Sequence, residues 1–181
     1  MRDKSDQQRF ETLLRDHFGI VFKVAGMYAR GREDRDDLAQ EICAQCWRSF
    51  ASFDQRRAKF STWMYRVALN VAISHARRRR RDMAEHFEPL EQRHLETTGI
   101  EAPPEADERL SALRVFLAEL DELNRALMVL YLEERSYAEM ADVLGISETN
   151  VATKIGRIKQ KLRTRMIAAQ PLPKEHEHGT P

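Results

Sequence analysis

Apolar residues recur at intervals of three and four along most of the chain, and this spacing predicts amphipathic helices. The first such run covers residues 10–25, and a second covers residues 32–50. Acidic residues open the second run, where they suit the positive end of a helix dipole. Over residues 51–59 the period is lost, which predicts a loop.

A third helix is predicted after this loop. Ser61 or Thr62 can cap its N-terminus, and its C-terminal part carries five consecutive arginines, Arg77–Arg81. Residues 83–108 then contain three prolines and few apolar side chains, a composition typical of a linker. The pattern therefore divides the chain into two helical units.

The second unit contains a helix-turn-helix pattern. Ser136 and Glu139 have the spacing of a capping box at the start of one helix. Gly145 marks a short turn, after which Ser147 can cap a further helix. Helices joined in this way are typical of DNA-binding domains. We therefore predict an all-α fold with two small helical domains joined by an acidic linker, the second domain containing the helix-turn-helix.

Charge is distributed unevenly, although the 30 basic and 29 acidic residues leave a net charge of only +1. Residues 1–82 carry a net charge of +7, and residues 83–110 carry −6. Residues 151–166 hold six basic residues and no acidic ones. Two basic regions on predicted helices indicate a polyanionic partner, the alternative being ordinary solvated faces.

The sequence does not favour a membrane-spanning protein, a secreted protein or an enzyme. No apolar run is long enough to span a membrane, and the polar N-terminus lacks the apolar segment of a signal peptide, so we expect a cytoplasmic protein. Glycine-rich phosphate loops, G-x-S-x-G and H-E-x-x-H are all absent. We therefore expect no catalytic residues and no cofactor, and we predict that the protein is not an enzyme.

The helix after Gly145 has the composition of a major-groove reader. Short polar and basic side chains there could contact base edges, namely Thr149, Asn150, Thr153 and Lys154. Longer cations suit phosphates, namely Arg157, Lys159, Lys161, Arg163 and Arg165. An ordinary helical hairpin with a basic face is the less favoured interpretation.

Aromatic and basic residues alternate at the start of the third helix, as they do in proteins that hold single-stranded nucleic acid. The residues concerned are Phe53, Arg56, Arg57, Lys59, Phe60, Trp63, Tyr65 and Arg66. Phe60, Trp63 and Tyr65 could equally be core residues, and the pattern alone leaves both possibilities open.

Cys43 and Cys46 match the C-x-x-C spacing of redox and zinc sites. Both lie on the apolar face of a predicted helix, where cysteine acts as a small hydrophobe, so we expect core residues and no metal site. A thiol- or metal-responsive sensor that uses these cysteines with His176 and His178 is a weaker alternative.

Three stretches resemble RNA polymerase sigma factors of the extracytoplasmic-function (ECF) group. Residues 34–47, DRDDLAQEICAQCW, resemble the family's polymerase-binding helix. Residues 59–81 resemble its promoter-melting segment and the basic helix that follows, and residues 120–163 resemble its second domain. They occur in the family's order with a linker between them.

The resemblance implies a domain organisation. Residues 1–82 would form the region 2 domain, which binds polymerase and recognises and melts the −10 element, and residues 109–169 would form the region 4 domain, which reads the −35 element. The acidic linker would be 83–108, and we expect a disordered tail at 170–181.

Site residues are implied in the same way. Those that face polymerase would be Asp36, Asp37, Gln40 and Glu41, with Trp47 packing behind them. Those at the −10 element would be Lys59, Trp63, Arg66, Asn70, Arg77 and Arg78, with the loop 52–59 and Asn70 capturing an unstacked base. Those at the −35 element would be Ser147, Thr149, Asn150, Thr153, Lys154, Arg157 and Lys161.

The implied function is promoter-specific transcription initiation. The partners would be core RNA polymerase, through its clamp helices and flap, promoter DNA in duplex and melted form, and an inhibiting anti-sigma factor, with no direct membrane insertion. The alternative is a helix-turn-helix regulator that binds duplex DNA without polymerase. Such a regulator needs neither the acidic helix nor the melting segment of the first unit.

Overall fold

The computed structural model describes residues 4–85 and 104–168. Within these ranges it contains eight α-helices, a short 3₁₀ turn at Phe50–Ser52 and no strand. The prediction of an all-α fold is therefore confirmed. The predicted tail and most of the predicted acidic linker lie outside the described residues.

Four helices form the first unit. They are α1 (Lys4–Asp16), α2 (Phe18–Tyr28), α3 (Arg32–Ser49) and α4 (Phe60–Glu85). The sequence pattern predicted one helix over residues 10–25, but the chain breaks it at His17. The main-chain N–H of His17 bonds the carbonyl oxygen of Leu14 at 3.2 Å, which tightens the last turn of α1. The apolar period continues across this break because both helices face the same core.

The core of the first unit lies between α2, α3 and α4. Its fully buried side chains include Val21, Val24, Leu38, Ile42, Met64 and Leu69. Helix α3 begins after Gly31, whose φ of +102° is accessible to glycine and costly for other residues. Helix α4 begins at Phe60, so the predicted caps Ser61 and Thr62 lie inside its first turn.

Four further helices form the second unit. They are α5 (Pro104–Glu119), α6 (Glu122–Leu132), α7 (Tyr137–Leu144) and α8 (Glu148–Ala168). Asp121 caps α6, since its side chain accepts a hydrogen bond from the main-chain N–H of Asn124 at 2.9 Å. Apolar side chains from three of these helices are fully buried together, among them Leu127, Leu130, Met140 and Ile155.

The two units pack against each other, with α2 and α4 of the first against α6 and α7 of the second. Tyr28 lies in this contact, almost completely buried, and its hydroxyl donates to the main-chain oxygen of Glu122 at 2.7 Å. The Arg125 guanidinium lies 5.2 Å from the centre of the Tyr28 ring. Burial raises the pKa of the Tyr28 phenol, which therefore remains a hydrogen-bond donor throughout the physiological pH range.

Candidate nucleic-acid interface

Helices α7 and α8 form the predicted helix-turn-helix, and nearby residues determine where each of these helices begins and where α7 ends. Ser136 and Glu139 make the complete capping box at the start of α7. Gly145 ends α7 in the left-handed region, with φ +68°. The Ser147 hydroxyl then accepts from the main-chain N–H of Asn150 at 3.2 Å and so starts α8. The direction of α8 is therefore set by short-range sequence signals.

Helix α8 buries one face and exposes the other. Val151, Ile155 and Ile158 are buried against the rest of the second unit. The predicted −35 residues lie on the opposite side, where Lys154 is half-buried and the others are exposed, namely Ser147, Thr149, Asn150, Thr153, Arg157 and Lys161. Lys159 and Arg165 turn back to Tyr131 and Glu119 of the same unit. The surface that remains is polar and basic, as groove and phosphate contacts require.

A second basic surface lies along α4. The predicted −10 residues Arg66, Asn70, Arg77 and Arg78 are exposed there, and Lys59 is exposed in the preceding loop. From Asn70 onward this face borders an open groove between α3 and α4, to which α3 contributes Glu41, Gln45 and Ser49. The groove mixes hydrogen-bonding groups with cations, a combination suited to a nucleic-acid backbone and its bases.

Aromatic residues gather where the loop meets α4. Trp63 is half-buried, and its ring lies 5.2 Å from that of Phe53 and 5.3 Å from that of Phe60, measured between centroids. Phe60 and Tyr65 are buried, which assigns both to the core. The sequence left open whether these aromatic residues are core residues or nucleic-acid contacts. In this cluster only Phe53 and Trp63 keep a partly accessible surface, so only these two could contact nucleic acid.

Helix α3 carries the predicted polymerase-facing residues. Asp36, Asp37 and Gln40 are exposed on its N-terminal half, and Glu41 is half-buried beside them. Trp47, near the C-terminal end, is also half-buried, with its ring 5.1 Å from that of Phe10. Helix α3 therefore has an exposed acidic N-terminal half and an aromatic contact with α1 near its C-terminal end.

An ion-pair network joins this acidic helix to the basic helix, and sequence reasoning missed it. His75 contacts two of the acids of α3, with Nε2 2.7 Å from Asp34 Oδ1 and Nδ1 3.6 Å from Glu41 Oε2. Arg79 donates to the other oxygen of Asp34 at 2.5 Å, and the main-chain N–H of Arg30 donates to it at 2.6 Å. Burial alone would raise the pKa of Asp34, but these donors hold it below its ordinary value. Complementary charges on the two helices were visible in the sequence, but the way the helices pair was not.

The cysteines are packing residues. Cys46 is completely buried and Cys43 is half-buried, and both are free thiols. Burial raises the pKa of Cys46 to about 12, with a smaller contribution from Cys43, so the thiolate needed for metal binding or redox chemistry is disfavoured. No cluster of three or more potential metal ligands occurs among residues 4–85 and 104–168. The predicted tail histidines lie outside these ranges.

None of the helices in the described part of the chain is long and apolar enough to cross a membrane.

Comparison with known proteins gives consistent matches along both units. Residues 13–82 match the model of sigma-70 region 2, and residues 110–162 match that of sigma-70 region 4. The ECF RNA polymerase sigma factor SigW of Bacillus subtilis is 26% identical over 175 residues, covering 90% of this chain and 91% of SigW.

Two solved structures share the fold. CnrH, a sigma factor of Cupriavidus metallidurans solved with the cytosolic domain of CnrY, aligns with a TM-score of 0.65 at 24% identity over 91% of each chain. The sigma factor RpoE of Bartonella quintana, solved with the anti-sigma factor NepR, also has a TM-score of 0.65, at 16% identity. That alignment covers 93% of this chain and all of RpoE.

Proposed function

The chain belongs to the ECF group of sigma-70 factors, and from this premise we propose that it binds core RNA polymerase, recognises −10 and −35 promoter elements and promotes transcription initiation. It performs no catalysis of its own in this proposal and acts in the cytoplasm, where polymerase and promoters are found. The region 2 domain is assigned to residues 1–82, the acidic linker to 83–108, the region 4 domain to 109–169 and the tail to 170–181. The two ends of this linker overlap the last residues of α4 and the first residues of α5.

One observation carries the proposal. The chain combines a basic helix-turn-helix with a separate acidic helix, α3, and a basic groove beside that helix. A regulator that binds duplex DNA alone requires the first of these features and has no use for the other two. A promoter-specificity subunit requires all three, because it must hold polymerase and two stretches of DNA at once.

We assign polymerase binding to the exposed face of α3. Asp36, Asp37 and Gln40 would contact the clamp helices directly, and Glu41 would do so from the edge of the groove. Trp47 would support this face from behind, through its contact with Phe10. Acidic side chains on a rigid helix suit a partner surface rich in cations, where charge complementarity speeds association and fixes orientation.

The −10 element is assigned to α4 and the loop before it. Asn70 would read the edge of an unstacked base, since a base edge becomes accessible to a pocket only after it leaves the duplex stack. Trp63 offers a ring face for stacking at the loop. The phosphates nearby would be held by cations, namely Lys59, Arg66, Arg77 and Arg78.

The −35 element is assigned to α8 in the major groove. Thr149, Asn150, Thr153 and Lys154 would approach base edges from the first turns of the helix, with Ser147 fixing its start. Arg157 and Lys161, further along, would hold phosphates.

An anti-sigma factor is the third proposed partner. Both structural relatives were solved with a bound protein, the cytosolic domain of CnrY in one case and the anti-sigma factor NepR in the other. A protein of that kind would keep this chain inactive by covering its polymerase-binding surfaces until a signal releases it.

Transcription in vitro tests the proposal directly. Purified protein is added to bacterial core polymerase on a pool of genomic promoters, and the 5′ ends of the new transcripts are sequenced. We expect discrete start sites that depend on the protein and share −10 and −35 sequences. Absence of such starts, together with footprints on duplex DNA without polymerase, would establish the plain helix-turn-helix regulator instead.

A further inference from the structure

The exposed face of α8 has a small apolar patch near its middle. Ala152, Thr153 and Gly156 are all exposed, on the side of the helix opposite the buried Val151 and Ile155. Residues three and four apart are neighbours on a helix surface, so Gly156 borders both Ala152 and Thr153. The side chain of Ala152 cannot form a hydrogen bond, and Gly156 has no side chain. At these two positions, side-chain hydrogen bonds therefore cannot account for recognition of a base.

Thr153 adds a methyl group to this patch. Its hydroxyl donates to the main-chain oxygen of Thr149 at 2.8 Å, one turn earlier in the same helix. A hydroxyl has one proton, so this proton is not available to a base. The methyl group is the other heavy substituent on the Thr153 Cβ, and the residue is exposed. Thr153 therefore contributes apolar surface beside Ala152.

Gly156 is not required by the fold of the described part of the chain. It lies in the interior of α8, where glycine is less favourable than any residue except proline, and its φ is not positive. A Cβ added to it would meet no atom of the described residues within 4 Å. Because the fold leaves room for a side chain here, the glycine is better explained by close approach of the helix backbone to an external surface.

Thymine is the base that suits such a patch. Its C5-methyl group is an apolar feature that the major groove displays at a T·A pair, and alanine or a threonine methyl group can contact it. The other three bases present hydrogen-bonding groups at the same edge. The exposed Arg157 is next to the patch and can hold a phosphate while the patch lies against the base.

We propose that Ala152 and the methyl group of Thr153 contact the methyl group of a thymine in the −35 element, and that Gly156 lets α8 come close enough for this contact. The inference rests on the proposed function, because that function assigns α8 to the −35 element. It adds a preference for a T·A pair at one position of that element. Ala152 and Thr153 are then specificity-determining residues, and Gly156 is a positioning residue.

Deoxyuridine tests the contact because it lacks only the methyl group of thymidine. Fluorescein-labelled duplexes of a promoter mapped by the transcription assay are made with each −35 thymine replaced in turn, and the affinity of holoenzyme is measured by anisotropy. We expect one replacement to weaken binding about three- to fivefold, the effect of one fewer buried methyl group. Equal affinities for all duplexes would overturn the proposal. This measurement uses the unmodified chain, so it does not depend on the folding of a variant.

Two substitutions distinguish the methyl group of Thr153 from its hydroxyl. Thr153→Ser removes the methyl group and keeps the hydroxyl, whereas Thr153→Val keeps a methyl group and removes the hydroxyl. Combined with the deoxyuridine duplexes, each substitution forms a double-mutant cycle. We expect Thr153→Ser to reduce the discrimination between thymine and deoxyuridine, and Thr153→Val to retain it. The reverse result would show that the hydroxyl contacts DNA and would overturn the proposal.

Gly156→Ala tests the close approach of α8. Alanine favours a helix more than glycine does, so the urea midpoint of the free chain should rise, while the affinity of holoenzyme for the promoter should fall about fivefold or more. The matched control is Gly26→Ala, because Gly26 is exposed in α2 and has equally open surroundings among the described residues. This control should raise the midpoint and leave promoter affinity unchanged. Equal promoter affinities for the two variants would contradict the close approach.

The transcription assay separates this inference from the proposed function. Holoenzyme that starts transcription at defined promoters but is unaffected by deoxyuridine refutes only the present inference. If no transcription occurs, the duplex sites protected by the chain alone receive the same replacements. An effect of deoxyuridine at those sites supports the thymine contact and refutes the proposed function, whereas no effect refutes both.

Discussion

The Arg78 guanidinium on α4 donates to the Glu41 carboxylate on α3 at 2.6 Å, so a proposed DNA contact and a proposed polymerase contact are paired with each other. Glu41 also lies 3.6 Å from His75 Nδ1 and is half-buried. A substitution at Glu41 would therefore disturb both surfaces at once. Asp36 and Asp37 are exposed acids one turn earlier on α3. Substitutions there test polymerase binding without disturbing the contact between Glu41 and Arg78.

Asp37→Arg should weaken binding to core polymerase and leave the fold intact. Asp37 is exposed, and reversal of its charge would place a cation against a partner surface that we propose to be basic. We expect the affinity for core polymerase, measured by fluorescence anisotropy, to fall by about tenfold or more. Glu11→Arg, an equal charge change at an exposed position of α1, should leave that affinity unchanged. Equal affinities for the two variants would remove Asp37 from the polymerase surface.

Sequence reasoning succeeded where structure is set within a few residues. The helix-turn-helix was predictable because the Ser136–Glu139 capping box and Gly145 act locally, and each determines where α7 begins or ends. The periodicity of α8 likewise predicted its buried face, since Val151, Ile155 and Ile158 are all buried.

The hydrogen bonds and ion pairs that the sequence did not predict join residues that are far apart in the chain. The bond between Lys23 and Glu133 joins residues separated by 110 positions, and that between Tyr65 and Glu133 spans 68. Charge alone cannot select such pairs from the 59 charged residues available. The break between α1 and α2 at His17 was not predicted for a different reason. Both helices pack on the same core, so the spacing of apolar residues continues across the break.

Asp34→Asn should lower the free energy of unfolding in a pH-dependent manner. The folded chain holds the pKa of Asp34 below its unfolded value, so the stabilisation is fully present above the unfolded pKa of about 3.9 and is lost as pH falls through the folded pKa. We expect a loss of about 1–2 kcal/mol at pH 7, because Arg79 and His75 lose a charged partner.

Urea unfolding of both proteins at pH 7 and at successively lower pH measures this dependence. The difference between Asp34→Asn and the unmodified chain should shrink below about pH 4. Asp36→Asn serves as the control, since this neighbouring acid is exposed and should change the free energy of unfolding little at any pH. A deficit for Asp34→Asn that stays constant with pH would show that the ionised carboxylate is not its cause.

Cys46 should behave as a core residue and not as a sensor. It is fully buried and the pKa of its thiol is raised to about 12, so Ellman's reagent should reach it only when the chain unfolds. Thiol titration at pH 8, with and without denaturant, measures this. We also expect the double variant Cys43→Ser, Cys46→Ser to leave the zinc content of the purified protein unchanged. Rapid reaction of both thiols in the native protein, or loss of bound zinc in the variant, would support the sensor alternative.

Lys154→Ala and Lys161→Ala should weaken promoter binding in different ways. Lys154 lies in the second turn of α8 beside Thr153, and its loss should cost about 1–3 kcal/mol and relax preference at one base position if it reads that base. Lys161 is exposed two turns further along, and its loss should weaken all sequences about equally and reduce the salt slope by about one. Anisotropy of holoenzyme on promoter variants, repeated across a range of salt concentrations, distinguishes the two effects. If both variants retain full promoter-dependent transcription, the −35 assignments on α8 are wrong even though the family is correct.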